Sequence, residues 1–133
     1  YMAVAGLPDG NTAQAKDAVF AALEMIAFIE NRFRELGEMN KPGLRMRAGL
    51  HSGPVIAGVV GLHKIQYDIW GDTVNTASRV ESASEPGKLN ISADTYRLVA
   101  NEPELHFIAR GFVAAKNKGQ LEMYFVQKAE ALS

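Results

Sequence analysis

The chain has 133 residues, a length that fits one domain able to bury a core of its own. Its hydrophobic fraction of 47%, charged fraction of 22% and net charge of −1 are ordinary for a globular protein. The near-neutral charge argues against a dedicated nucleic-acid binder. The lack of cysteine excludes disulfides and thiolate metal sites and fits a cytoplasmic protein. No apolar run approaches the roughly 20 residues of a membrane span.

The first third of the chain predicts a strand, a loop and a long helix. Residues 1–8 have strand character and open without an initiator methionine, so we expect a chain cut from a longer one. Residues 8–11 are turn formers, and Asn11 with Gln14 resembles a helix-capping pair. Apolar residues then recur every three or four positions and predict one helix that ends at Gly37. Its core-facing stripe comprises Val19, Leu23, Ile26, Ile29, Phe33 and Leu36.

Three strands are predicted next. Residues 45–51 alternate between polar and apolar side chains, which is the period of a strand, and residues 55–60 and 65–70 form two more. Four glycines between positions 49 and 61 permit tight turns or close backbone contacts. Their spacing matches neither a phosphate-binding loop nor the dinucleotide-binding fingerprint.

The most informative segment is YDIWGDTVNTASR at residues 67–79. It predicts a strand, a glycine turn and then a helix that Asp72 caps. Asn75 and Arg79 are four residues apart, so both project from one face of that helix. Together with Asp68 they would bring a carboxylate, an amide and a guanidinium to one strand-to-helix junction. Such a set suits a ligand with a base edge, a sugar and a phosphate.

The rest of the chain predicts short elements around a hairpin. The second helix extends to about Ala83, and Ser92 can cap a third helix that ends near Val99. Strands linked both by hairpins and by helices predict an α+β domain, with helices packed on a mainly antiparallel sheet. The strands in this part are predicted at residues 89–92, 105–115 with a break near Gly111, and 121–126, and the polar hairpin tip at residues 116–119.

These segments together resemble the catalytic domain of class III nucleotidyl cyclases. The resemblance extends from Tyr1-Met2 to Val126, and it implies a ferredoxin-like cyclase fold that works as a dimer with its site at the interface. Residues 1–133 would then be a single, partial catalytic domain that lacks its first strand or strands and helices. The matching stretches are MRAGLHSG at 46–53, GVVG at 58–61, YDIWGDTVNTASR at 67–79, Arg110-Gly111, KNKG at 116–119 and YFV at 124–126.

The resemblance also implies roles for individual residues. Asp68 matches the acid that reads the base, Asn75 the amide that orients the ribose, and Arg79 the arginine that stabilises charge on the α-phosphate. Lys116 matches the lysine that binds the terminal phosphates, with Lys118 as the other possible register. Arg47 matches a phosphate-binding arginine contributed by the other subunit, the one that holds the metals.

A metal requirement follows from the resemblance as well. The family uses two divalent ions, Mg or Mn, and its two metal aspartates and the lysine that helps to read adenine match positions before Tyr1. We therefore assign no metal ligand within this chain and expect the isolated chain to be inactive. Any membrane tether would lie in other domains.

The leading interpretation is an adenylyl cyclase domain that acts on ATP, with a second cyclase subunit, expected to be identical, as partner. A carboxylate accepts from the exocyclic amine of adenine, whereas guanylyl cyclases usually carry a small residue such as cysteine at the position of Asp68. The alternatives are a guanylyl cyclase and a non-catalytic module that binds nucleotide or dimerises.

Simpler interpretations of the site residues remain open in the sequence. Arg79 could pair with Glu81 or Glu85, Arg47 could form a salt bridge across the sheet, and the two lysines could merely solubilise a turn. The three histidines have no spacing typical of a metal site and are expected to be structural or exposed. They are His51, His63 and His106.

Overall fold

The computed structural model describes residues 1–6, 13–60 and 66–129, with the backbone alone described for Ala13 and for the strands between residues 56 and 70. Three helices are interspersed with runs of one to three strands in these residues, which agrees with the α+β prediction. In chain order they are α1 (Ala13–Glu38), β1 (Ala48–Leu50), β2 (Ile56–Val60), β3 (Gln66–Trp70), α2 (Asp72–Ser82), β4 (Leu89–Ser92), α3 (Ala93–Val99), β5 (Leu105–Ala115) and β6 (Gly119–Lys128).

Four strands form one mixed sheet in the order β1-β4-β6-β5. Strand β1 runs parallel to β4, and the other two neighbouring pairs are antiparallel, so the prediction of a mainly antiparallel sheet is confirmed. Strands β2 and β3 form a separate antiparallel pair in which Gly58 lies opposite Asp68. This pair leads directly into α2.

Helices cover both faces of the four-stranded sheet. Leu89 and Ile91 point to the face that carries α1 and α3, whereas Asn90 between them points to the face that carries α2. The main core lies on the first face and contains Val19, Ala22 and Ile26 of α1, Val99 of α3, Leu89 and Ile91 of β4, Leu105 of β5 and Val126 of β6.

Helix α2 is fixed to the sheet by polar contacts as well as by packing. The buried Asn90 amide donates to the Val80 carbonyl at 2.9 Å. At the end of the helix, Arg110 donates to the Ala83 carbonyl at 2.8 Å, and its guanidinium lies 4.0 Å from the centre of the Phe125 ring. Because these contacts join α2 to β4 and β5, with Arg110 packed on Phe125 of β6, the position of the helix is set by the sheet.

The N-terminal predictions need correction. Residues 1–6 form no strand, since none of the described strands pairs with them. The long helix contains Gly37 and ends one residue later, and Asn40 takes the left-handed conformation (φ 54) instead. Asparagine tolerates that conformation, and Lys41 N–H closes the end on the Leu36 carbonyl at 2.8 Å. Asn11 of the predicted capping pair lies outside the described residues.

Other local predictions are confirmed. The Ser92 hydroxyl accepts from Thr95 N–H and caps α3. Strand β5 breaks its register between Ala109 and Gly111, where glycine has φ +69. The strand predicted at 45–51 is shorter than expected, since only Ala48–Leu50 pair with β4. Among the described helices, none is long and apolar enough to cross a lipid bilayer.

Candidate functional site

The site begins at the sharp turn between β3 and α2. Gly71 has φ 126, a conformation that favours glycine, and the helix starts at the next residue. Asp72 is therefore not the cap that the sequence predicts but the first helical residue, and no side chain caps the helix at Gly71. A carboxylate in the first turn still faces the positive end of the helix dipole.

Asn75 and Arg79 lie one turn apart on α2, as predicted. Thr76 and Val80 occupy the buried stripe of the helix, which leaves Asn75 exposed and Arg79 half-buried beside that stripe. Both side chains can therefore meet a ligand or a second chain without disturbing the core.

The acids proposed as simple partners of Arg79 have other partners. Glu81 accepts from Arg47 at 3.0 Å, and Glu85 pairs with Lys88 at 3.3 Å. The structure thus gives no support to the interpretation of Arg79 as a surface arginine neutralised by its own helix.

Asp68 is placed by its backbone alone. It lies in β3 opposite Gly58, three residues before the Gly71 turn. Its side chain lies outside the described part of the structure, so the base-reading role stays a prediction.

The two lysines of the hairpin tip have different environments. Lys116 is exposed, whereas the Lys118 side chain is only 23% exposed and its ammonium pairs with the carboxylate of Asp72. This ion pair joins residues 46 positions apart and brings the tip of the β5–β6 hairpin to the start of α2. The structure therefore places Lys118 at the helix that carries Asn75 and Arg79, with Lys116 two residues away on the same hairpin tip.

Arg47 lies elsewhere. Its Nε donates to Glu81, which follows Arg79 by two residues and so lies roughly 200° around the helix from it. Within one chain, Arg47 does not join Asn75 and Arg79. The salt bridge that the sequence suggested across the sheet instead joins the residue before β1 to α2.

An open cleft of about 630 Å³ lies between the residues after β1 and the start of α2. Its polar lining includes His51, Asp72 and Asp94, which sequence reasoning did not group together because they come from three separate elements. The remaining lining residues are Ser52, Gly53, Pro54, Val55, Gly71 and Thr73.

His51 has a structural role in this cleft. Its Nδ1 lies 2.7 Å from the Ser92 hydroxyl and 3.8 Å from the Asp94 carboxylate. Burial lowers the pKa of His51, and Lys118 lowers it further, against the opposing effect of Asp94. The neutral ring is therefore favoured in the folded protein.

This pKa shift gives a prediction for stability against pH. Because the folded pKa lies below the unfolded value of about 6.5, the unfolded chain takes up the proton first as pH falls. The free energy of unfolding should therefore decline as pH falls below about 6.5 and level off below the folded pKa. Urea unfolding between pH 5 and 8 should show a smaller decline for His51→Gln than for His106→Gln, which changes an exposed ring. Equal declines would contradict the assignment.

The described residues do not fit a metal centre. In residues 1–6, 13–60 and 66–129, no three histidine, aspartate or glutamate side chains are grouped so that they could hold a metal ion.

Comparison with known proteins connects this geometry to a family. The family described as "Adenylate and Guanylate cyclase catalytic domain" matches residues 1–128. Soluble guanylate cyclase 89Db of Drosophila melanogaster is 41% identical over 126 residues, which are 95% of this chain and 18% of that protein.

Solved structures agree. The guanylate cyclase domain of RhGC from Catenaria anguillulae, in complex with GTP, superposes with a TM-score of 0.78 at 32% identity and covers 94% of this chain and 65% of that one. The adenylyl cyclase CyaB from P. aeruginosa also gives 0.78, at 27% identity, over 92% of this chain and 63% of that one. These matches confirm the cyclase fold. The chain spans less than two thirds of each of these relatives, and it belongs to the adenylate and guanylate cyclase catalytic domain family.

Proposed function

We propose that the protein carrying this chain is an adenylyl cyclase, which converts ATP to 3′,5′-cyclic AMP and pyrophosphate. The observation that carries the proposal is the arrangement around α2. An amide and a guanidinium share its accessible side, and a lysine-bearing hairpin tip is held at its first turn. Membership of the cyclase family indicates the class of reaction, and the side chains around α2 suggest which residue takes each role in it.

The reaction needs positioning and charge stabilisation more than covalent chemistry. The ribose 3′ hydroxyl oxygen attacks the α-phosphorus and its proton passes to water, while the bond from the α-phosphorus to the bridging oxygen breaks and pyrophosphate leaves. Asn75 would orient the ribose for in-line attack. Arg79 would donate charge-assisted hydrogen bonds to the α-phosphate as negative charge develops there. Lys116 would bind the terminal phosphates.

Cyclase domains bind nucleotide and function as dimers, and they generally use divalent metal ions. Arg47 fits this assembly in a particular way. Arg47 lies on the far side of α2 from Arg79 of the same chain. It would therefore bind the phosphates of a nucleotide in the site that it shares with the second subunit. Two identical subunits would then form two equivalent sites.

Asp68 favours ATP but does not exclude GTP by itself, because guanine also carries an exocyclic amine that a carboxylate could accept from. A carboxylate accepts hydrogen bonds and cannot donate them, so it suits the exocyclic amine of adenine and repels the oxygen at that edge of guanine. The similarity to soluble guanylate cyclase 89Db favours GTP as the second candidate. A nucleotide-binding module without activity is the third.

The test is product formation by the complete protein that carries this chain, with ATP or GTP and manganese in separate assays. We expect cyclic AMP from ATP. Asp68→Cys should lower kcat/KM for ATP relative to GTP by roughly ten- to hundredfold, since the adenine amine loses its acceptor. Asp17→Cys, a change of an exposed acid on α1, is the matched control. Cyclic GMP as the main product of the unaltered protein would identify a guanylyl cyclase, and nucleotide binding without either product a non-catalytic module.

A further inference from the structure

The ion pair between Lys118 and Asp72 joins two elements that the proposed function uses. Lys118 comes from the tip of the β5–β6 hairpin and Asp72 from the first turn of α2. The lysine side chain lies against the protein, at 23% exposed, while the aspartate is 80% exposed. The Lys118 side chain thus lies against the start of α2, whereas the Lys116 side chain is exposed to solvent.

The hairpin tip is a tight structure, so that its two lysines move together. Lys118 N–H donates to the Ala115 carbonyl at 3.0 Å, and Asn117 and Gly119 both adopt the left-handed conformation (φ 61 and φ 68). Strands β5 and β6 pair up to Ala115 and Gly119, directly below the turn. A contact that fixes Lys118 therefore also fixes the direction in which Lys116 leaves the tip.

We propose that Asp72 is a positioning residue: by holding Lys118, it places Lys116 for the terminal phosphates of the nucleotide. This inference rests on the proposed function of Lys116. It divides the labour between the two lysines, with Lys118 binding the protein and Lys116 binding the substrate. The sequence left open which of them meets the phosphates.

A double-mutant cycle on the complete protein tests the proposal. Asp72→Asn and Lys118→Gln should each raise KM for ATP by roughly two- to fivefold with little change in kcat, because a partly exposed ion pair is weak. KM for ATP should rise no further in the double variant than in either single variant, since both substitutions remove the same contact. Lys118→Arg, which can keep the pair, should retain the unaltered KM. The matched control is Glu85→Gln with Lys88→Gln, a surface pair at the other end of α2, which should leave KM unchanged.

A second measurement does not depend on activity. Amide hydrogen exchange of a peptide that spans residues 112–121 should be faster in Asp72→Asn and in Lys118→Gln than in the control, without any nucleotide present. Unchanged exchange in both variants would overturn the ion pair as a restraint on the tip. If Lys118→Gln still raises KM in the Asp72→Asn background, Lys118 itself contacts the phosphates and the proposal is wrong. A failure of the proposed function looks different, because the unaltered protein would then make no cyclic AMP from ATP while the exchange result would stand.

Discussion

Arg79→Ala in the complete protein should lower the turnover number for cyclic nucleotide formation by about 10²–10³-fold. The arginine would meet charge that develops only in the transition state, so its loss should affect kcat more than KM. Because the side chain lies beside the buried stripe of α2 and not within it, the free energy of unfolding should change by no more than about 0.5 kcal/mol. Product formation and urea unfolding, measured on the same preparation, check both statements.

Arg79→Lys should also lose much of the activity, since the ammonium lacks the planar fork of the guanidinium. Arg32→Ala is the matched control, because Arg32 is an exposed arginine on α1 that pairs only with the nearby Glu35 among the described residues. Near-normal turnover in Arg79→Ala would remove Arg79 from the reaction and leave it a surface residue.

The same variant can report on the second subunit. In a symmetric dimer, each site would take Arg79 from one chain and Arg47 from the other. A mixture of Arg79→Ala and Arg47→Ala subunits should then form mixed dimers with one intact site and one doubly altered site. Activity above that of either variant alone is the expected result. Mixed dimers that form and stay inactive would show that the two arginines do not serve a shared site.

Local signals in the sequence predicted local structure well. The Ser92 cap, the break at Gly111 and the polar hairpin tip each depend on residues within a few positions of one another, and each is found in the structure. The start of α2 was predicted one residue too late, although it too depends on local residues. Aspartate is a common cap, but the positive φ that glycine permits at Gly71 moved the turn one residue earlier.

Contacts between distant segments could not be predicted in this way. Lys118 meets Asp72 across 46 residues and Arg47 meets Glu81 across 34, and neither pair has a periodic or spacing signal in the sequence. The motifs in the sequence were sufficient to indicate the family, which matches residues 1–128. They did not indicate which lysine binds the helix, because that depends on how the hairpin packs against α2.

The crossing of α2 over β1 is the least tolerant contact of this kind. Gly49 lies in the middle of β1, opposite Asn90 of β4, and α2 passes directly over it. A Cβ atom at this position would lie 2.7 Å from the Val80 carbonyl carbon and closer still to the backbone of Glu81. Backbone atoms cannot rotate away as a side chain can, so an added methyl group must move the helix or the strand.

Gly49→Ala should therefore destabilise the protein by about 1–3 kcal/mol, the usual cost of overpacking. It should also lower turnover by up to about 10²-fold, because a shift of roughly 1 Å in α2 would displace Asn75 and Arg79 from the positions that their proposed roles need. Gly37→Ala is the matched control. Gly37 lies within α1, where an added Cβ meets no atom within 4 Å, and alanine should stabilise the helix by about 0.5–1 kcal/mol. In urea unfolding, the free energy of unfolding should thus fall for Gly49→Ala and rise for Gly37→Ala, and product formation should fall only for Gly49→Ala. A Gly49→Ala protein as stable and active as the unaltered one would mean that α2 does not cross β1 so closely, and the route by which the sheet positions Arg79 would have to be reconsidered.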